Sequence, residues 1–359
     1  MSKVRVGILG ATGMVGQRFV TLLNNHPFFE VTVLAASNRN VGKTYEDAVS
    51  EKWSMDEEIP SYAKKMIMMD VLDIDNVSKH VDVVFSAVKM EKDEIRAFEE
   101  GYAKHEVIVV SNNSACRNIE DVPMLLPECN IDHLEAIKHQ RERLGTKHGF
   151  IVVKPNCSIQ SYVPIFYALK DFEPEVAVVS TYQAISGAGR TFKTWPEMVE
   201  NIIPYIGGEE EKSEKEPLKV MGHVENGVIV PATDLKISCT CIRVPVVDGH
   251  TASVRVSFKK KPTREEFIKA ITEFSGVPQR EKLPHAPKRF MYYFEENDRP
   301  QVKLDVNLEG GMAVTVGRLE EDNIFQYKFV ALSHNTLRGA AGGGLLTAET
   351  LYALHYFDR

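Results

Sequence analysis

One of the five cysteines in this 359-residue chain has the surroundings of a nucleophile. Cys157 lies in KPNCS, between a strand-like run, Phe150 to Val153, and a helical stretch reading IQSYVPIFYALKDF. A thiol at a helix start faces the positive end of the peptide dipoles, which lowers its pKa and favours the thiolate. Such a thiolate attacks acyl carbons and splits one hard step into two. A buried structural cysteine is the plain alternative. The rest of the chain offers partners: Gln183 in STYQAISGAGR, and Arg243 and His250 in CIRVPVVDGHT. Cysteine, imidazole, amide and guanidinium make an acyl-transfer set of nucleophile, proton shuttle, oxyanion partner and carboxylate clamp.

The other thiols and imidazoles carry less. Cys239 and Cys241 stand two apart, so on a strand both sulfurs face one way. No second Cys/His pair at zinc spacing follows, so packing is expected and no metal site. Cys116 is read as a bystander and Cys129 as a core or surface thiol. His80, His105, His133 and His148 fall in polar stretches and are expected at the surface.

A second pattern is GATGMVG, Gly10 to Gly16, after an apolar run and before a helical one. Glycines there let the backbone turn sharply against a pyrophosphate, and the helix start offers free N–H groups. The turn from Gly10 to Gly16 is thus expected to hold a dinucleotide; a tight turn without ligand is the alternative. NAD binders place an acid at the end of the second strand. Here AASNRNVGK has none; Ser37, Asn38, Arg39 and Lys43 suit a 2′-phosphate, so NADP is expected.

Positioning these groups takes two layers of organisation. Runs at Val4 to Leu9, Val31 to Ala36, Val81 to Val88 and Val107 to Val110 alternate with helical stretches. That predicts an α/β, Rossmann-like, doubly wound parallel sheet over 1–150. Past 150 the runs alternate apolar and polar, predicting an α+β catalytic and dimerisation domain with a mixed sheet over 151–335. A closing helix within 336–359 is expected to complete the first domain. Thr263 and Glu266 form a capping box. EEEKSEKE at 209–216 is a charge run that reads as a solvated helix or loop.

Hydrophobic residues make up 43% and charged residues 26%, with a formal net charge of −7, which gives no reason to expect nucleic acid or an anionic membrane as partner. No run of about 18 apolar residues marks a membrane helix. The first residues enter a strand pattern at once, without the layout of a signal peptide. Five sparse cysteines suit a reducing compartment, so the cytoplasm is expected.

GATGMVGQRF, SNNSACR, PNCS, YQAISGAGR, EPLK, IRVPVVDGHT and NTLRGAA together resemble aspartate-β-semialdehyde dehydrogenases, especially the branch of archaea and fungi. The resemblance runs nearly end to end. It implies an NADPH-dependent reductive dephosphorylation of β-aspartyl phosphate, on the pathway to lysine (through diaminopimelate), threonine, methionine and isoleucine. Cys157 would be the nucleophile and His250 the acid–base residue. Gln183, Glu216 and Arg243 would hold the substrate, with Asn156 placing it beside Cys157. Arg117 and Lys219 would bind the phosphate; Glu211 and Lys215 are alternatives within the charge run. Gly10, Thr12, Gly13, Met14 and Val15 of the glycine turn, with Ser37, Arg39, Ser86, Ser186, Gly187 and Asn335, would contact NADP. The resemblance also implies a homodimer or homotetramer. Rival readings are a malonyl- or succinyl-CoA reductase, an N-acetylglutamyl-phosphate reductase and a non-catalytic NADP-binding regulator. The first needs no phosphate pair, and the last no Cys–Gln–Arg–His set.

Overall fold

The computed structural model describes residues 3–358. Short β-branched runs become β1 (Val4–Leu9), β2 (Phe29–Ala36), β3 (Met69–Asp70), β4 (Val83–Ser86), β5 (Ile108–Ser111) and β6 (Phe150–Val153). They form one parallel sheet in the order β3-β2-β1-β4-β5-β6. Every residue of β4, β5 and β6 is buried, as in strands covered on both faces. The strand order reverses between β1 and β4, where a crevice opens at the carboxyl ends. The glycine turn and the helix Met14–Leu22 stand at that reversal. Because β6 pairs with β5, this sheet extends to Val153.

The second layer holds β7 (Pro174–Gln183), a small hairpin of β8 (His223–Glu225) and β9 (Val228–Val230), β10 (Lys236–Arg243), β11 (His250–Phe258), β12 (Met291–Phe294), β13 (Val314–Glu321) and β14 (Tyr327–Ser333). Apart from the hairpin these form a mixed sheet in the order β10-β7-β11-β14-β13-β12. β10–β7 and β12–β13 are parallel and the other pairs antiparallel. Burial alternates along β7 and β11, so one face covers the core. Thr263 and Glu266 make the capping box of Arg264–Thr272.

The chain ends by returning to the first sheet. The helix Ala341–Ala353 is buried from Ala341 through Leu351. Leu345, Ala348 and Leu351 share an apolar cluster with Phe19 and Val20. A helix buried on nearly every side belongs in a core, and its Glu349 is satisfied there by His26 and His285. Just before it, Arg338 is wholly buried and forks onto Glu128 at 2.6 and 2.9 Å.

Three expectations are corrected. IQSYVPIFYALKDF is no single helix: a 3₁₀ turn Ser158–Ser161, a helix Val163–Ala168 and a second turn Lys170–Phe172 break it up. Pro164, at N2, suits a helix start and not an interior. The charge run is helical but only partly solvated: it opens the helix Glu209–Val220, with Glu211 and Lys215 exposed and Ser213, Glu216, Pro217, Lys219 and Val220 buried. His133 is buried, hydrogen-bonded to Asn130 and the Gly222 carbonyl.

Candidate active site

Three strand ends of the second sheet meet at one edge. Gln183 ends β7 and Arg243 ends β10, side by side in parallel register. His250 starts β11, which runs back along β7. Cys157 reaches this edge from the first sheet, four residues past the end of β6 at Val153. Its Sγ lies 3.4 Å from His250 Nε2. The Ala184 amide donates to His250 Nδ1 at 3.1 Å. The neutral ring therefore carries its proton on Nε2 and donates toward the sulfur.

The electrostatics reverse the expected thiol activation. Burial, then Glu209, push the Cys157 thiol up to about 12, against Arg117, Arg243 and Lys154. One turn of 3₁₀ helix offers a weak dipole, and desolvation outweighs it. Burial and then Arg243 take His250 down to about 3. The resting pair is thus a neutral thiol beside a neutral imidazole.

Arg243 is buried, and one guanidinium N–H donates to the Ala184 carbonyl at 2.6 Å. Among the described residues no carboxylate bonds it, leaving a desolvated cation ready for an anion. Gln183 donates to Thr181 Oγ1 at 3.2 Å and toward Glu209 Oε2 at 3.5 Å. Asn156 bridges the site: its amide N–H donates to Glu216 Oε2 at 2.6 Å and its Nδ2 to Glu209 Oε2 at 2.8 Å. Its Oδ1 accepts from Ser158 N and Oγ, both at 2.7 Å, which fixes the turn carrying Cys157.

Arg117 and Lys219 come together on the far side of Asn156. Arg117 Nη1 donates to Glu216 Oε1 at 2.8 Å, both groups buried. Lys219 Nζ donates to the carbonyls of Arg117 and Ile119 at 2.8 and 2.7 Å, and burial takes its pKa down to about 8. Glu211 and Lys215 have no bond to these groups, whereas Glu216 does. Glu209 escaped the sequence reading. Its signal was there: it lies two turns before Glu216, on the same helix face.

The cofactor end is built from backbone. Gly10 has φ +87°, and a Cβ on Gly16 would lie 2.3 Å from the Gly10 carbonyl oxygen, so both need glycine. No side chain caps the helix Met14–Leu22 at Gly13, and its first turn carries no acid. That open helix start fits a pyrophosphate, with Thr12, Gly13, Met14 and Val15 keeping surface beside it. Ser37, Arg39 and Lys43 are exposed past the end of β2, where a ribose 2′-phosphate would fit. Ser86 is different: its hydroxyl is buried and accepts from Asn113 Nδ2 at 2.9 Å. Ser186 and Gly187 sit in the turn Ile185–Ala188. Asn335 locks that turn to the catalytic edge, accepting from Gly249 N and donating to Ser186 Oγ, both at 2.8 Å. A Cβ on Gly187 would come 3.1 Å from Arg243 Nη1 and His250 Nε2, and one on Gly339 2.7 Å from Cys157 Cβ. Cys239 and Cys241 are buried with sulfurs 3.8 Å apart, away from these contacts.

Known proteins share this arrangement of domains. Residues 5–137 match the semialdehyde dehydrogenase NAD-binding domain and 164–338 the semialdehyde dehydrogenase dimerisation domain. An aspartate-semialdehyde dehydrogenase of Methanothermobacter thermautotrophicus is 42% identical over 97% of this chain and 99% of its own. The chain belongs to the aspartate-semialdehyde dehydrogenase family. Another relative of that name, from Schizosaccharomyces pombe, is 41% identical over 97% of this chain and 98% of its own. Among solved structures, aspartate semialdehyde dehydrogenase with NADP from Candida albicans superposes with a TM-score of 0.88 at 36% identity, covering 99% of this chain and all of that one. Archaeal and fungal members of the family thus both match nearly end to end.

Proposed function

We infer that this protein is an NADP-dependent aspartate-semialdehyde dehydrogenase that works through a thioester on Cys157. The carrying observation is the Cys157–His250 contact, set between the unclaimed Arg243 cation and the Arg117–Lys219 pair. Arg243 takes the substrate α-carboxylate with its planar fork. Arg117 and Lys219 neutralise the acyl phosphate. Cys157 Sγ bonds the acyl carbon, the carbon–oxygen bond to phosphate breaks, and inorganic phosphate carries off the thiol proton. Bound NADPH supplies a hydride to the thioester carbon. His250 Nε2–H then donates a hydrogen bond to the oxyanion of the thiohemiacetal, aided by Gln183. Collapse breaks the carbon–sulfur bond, frees aspartate semialdehyde and leaves a thiolate that regains its proton.

Ser37 and Arg39 hold the 2′-phosphate, the glycine turn from Gly10 to Val15 holds the pyrophosphate, and Ser186, Gly187 and Asn335 border the nicotinamide. Ser86 shapes that floor from beneath through Asn113. The product feeds the pathway to lysine, threonine, methionine and isoleucine. The dimerisation-domain match supports a homodimer or homotetramer. Exposed Tyr182 on β7, and Ile202 and Tyr205 beside the edge strand β10, supply apolar surface for it. Among the described residues no helix is long and apolar enough to cross a membrane, and a free nucleophilic thiol suits the reducing cytoplasm.

The test is NADP reduction by aspartate semialdehyde with phosphate, against coenzyme A. Activity that needs phosphate supports the reading. Activity that needs coenzyme A instead would establish an acyl-CoA reductase, and absence of turnover with intact NADP binding would establish a regulator.

A further inference from the structure

We propose that Glu99 is a positioning residue for the reaction: as an uncharged acid it ties the end of β4 to the end of β5, and so sets both the floor of the cofactor crevice and the loop that carries Arg117. This rests on the roles proposed above for NADP and Arg117. Glu99 lies on the helix Lys92–Lys104, on the buried face it shares with Ile95, Phe98 and Tyr102. A carboxyl on such a face costs a desolvation that a leucine would not. Its bonds show what it holds. Oε1 accepts from Ser111 Oγ at 2.6 Å and from Asn113 Nδ2 at 3.0 Å. The same Asn113 amide donates to Ser86 Oγ at 2.9 Å.

These partners stand where the site is assembled. Ser86 ends β4 and Ser111 ends β5, at the carboxyl edge of the first sheet. The Ser86 carbonyl accepts from Asn112 N at 2.9 Å, and the Ser111 carbonyl from Lys154 N at 2.8 Å, where KPNCS begins. The Asn112 carbonyl in turn accepts from Arg117 Nη2 at 3.3 Å. Glu99, Ser86 and Ser111 are fully buried and Asn113 half-buried, so the network lies beneath the crevice and surfaces at Asn113. One carboxyl thus braces the cofactor floor, the phosphate loop and the root of the nucleophile turn.

The bonding also defines its protonation state. Glu99 Oε2 is buried and makes no hydrogen bond. Burial pushes the carboxyl pKa up, and the groups that oppose it, Ser111, Asn113, Ser86 and Cys116, are all uncharged. A bare carboxylate oxygen there would be an unanswered charge, so a hydroxyl is the lower-energy state. The acid keeps Oε1 as a carbonyl-type acceptor for both donors. A glutamine amide reproduces that acceptor; a leucine strands Ser111 Oγ and one Asn113 N–H.

The experiment measures kcat and KM for NADP, phosphate and aspartate semialdehyde in wild type, Glu99→Leu, Glu99→Gln and Phe98→Leu. Glu99→Leu should raise KM for NADP and for phosphate by about fivefold or more each, the loss that one ordinary hydrogen bond converts to. KM for aspartate semialdehyde, held by Arg243, should change by less than about twofold. Glu99→Gln should restore both constants. Phe98→Leu trims the same helix face and controls for packing; it should lower the urea midpoint and leave the three KM values in place. If Glu99→Leu does not fold, Ser111→Ala removes the shared donor from the strand side and should raise the same two constants. A rise in neither constant or in only one, equal rises for all three ligands, or a Gln variant as impaired as the Leu variant would overturn the proposal. A wild type that needs coenzyme A instead of phosphate would strike the function proposed above, and NADPH affinity from fluorescence titration would still report on Glu99, so the two failures are separable.

Discussion

Alkylation of Cys157 in the free protein should be slow near neutral pH and should climb steadily into alkali. With the thiol pushed up to about 12, roughly one site in ten thousand is thiolate at pH 8. An ordinary thiol of pKa about 8.5 is roughly one-quarter ionised there, a deficit of about two-thousandfold for Cys157. A more basic thiolate is also a better nucleophile, with a Brønsted slope of about 0.4–0.5, which recovers roughly 25- to 50-fold. The net expectation is alkylation by iodoacetamide some fifty- to a hundredfold slower than a free model thiol. Cys157 is the partly exposed cysteine of the five, and the other four are buried, so peptide mass mapping can follow it alone. The rate should rise about tenfold per pH unit from 7 to 10 without levelling. A plateau at or below pH 8 would mean a resting thiolate–imidazolium pair, and would refute the argument that desolvation outweighs Arg117, Arg243 and Lys154.

Arg39→Ala should raise KM for NADPH at least tenfold while changing KM for NADH little, because the exposed guanidinium serves the 2′-phosphate; equal losses with both cofactors would remove that role. Arg338→Met should destabilise by about 3–5 kcal/mol, since it strands Glu128 as a buried charge; urea unfolding checks it, and the double variant with Glu128→Leu should recover most of the loss. Burial holds His334 at about 4 and His250 at about 3 in the fold, against about 6.5 unfolded. The unfolded chain therefore binds protons first as pH falls, and stability complete above 6.5 is lost below it, by roughly 2 kcal/mol per histidine at pH 5. His334→Gln should narrow the gap in urea midpoint between pH 7 and pH 5, and an unchanged gap would contradict that share.

Strand patterns carry most of the fold in one dimension. β1, β4 and β5 read as continuous apolar runs, and β7, β10 and β11 as alternating ones, because burial on two faces or one dictates those patterns. Register is another matter. That Gln183, Arg243 and His250 share an edge follows from β10 lying parallel and β11 antiparallel to β7, which no local pattern records. Glu209 was hidden by its neighbours: a run of acids reads as solvated until the seven-residue step to Glu216 is placed on one helix face. The thiol pKa was misread for a related reason. A helix start is visible in sequence, but the burial that overrides it is a property of the assembled domains. His133 likewise sits among polar neighbours in the chain and is enclosed only when β8 and the Gly222 turn fold over it.

The central claim, a thioester on Cys157, is tested most directly by trapping it. The protein is mixed with β-aspartyl phosphate in the absence of NADPH, quenched in acid and mapped by mass spectrometry. The expected result is one aspartyl adduct on the peptide carrying Cys157, matched by one equivalent of phosphate released and discharged when NADPH is added. Phosphate release without an adduct, or an adduct on any other residue, would contradict it.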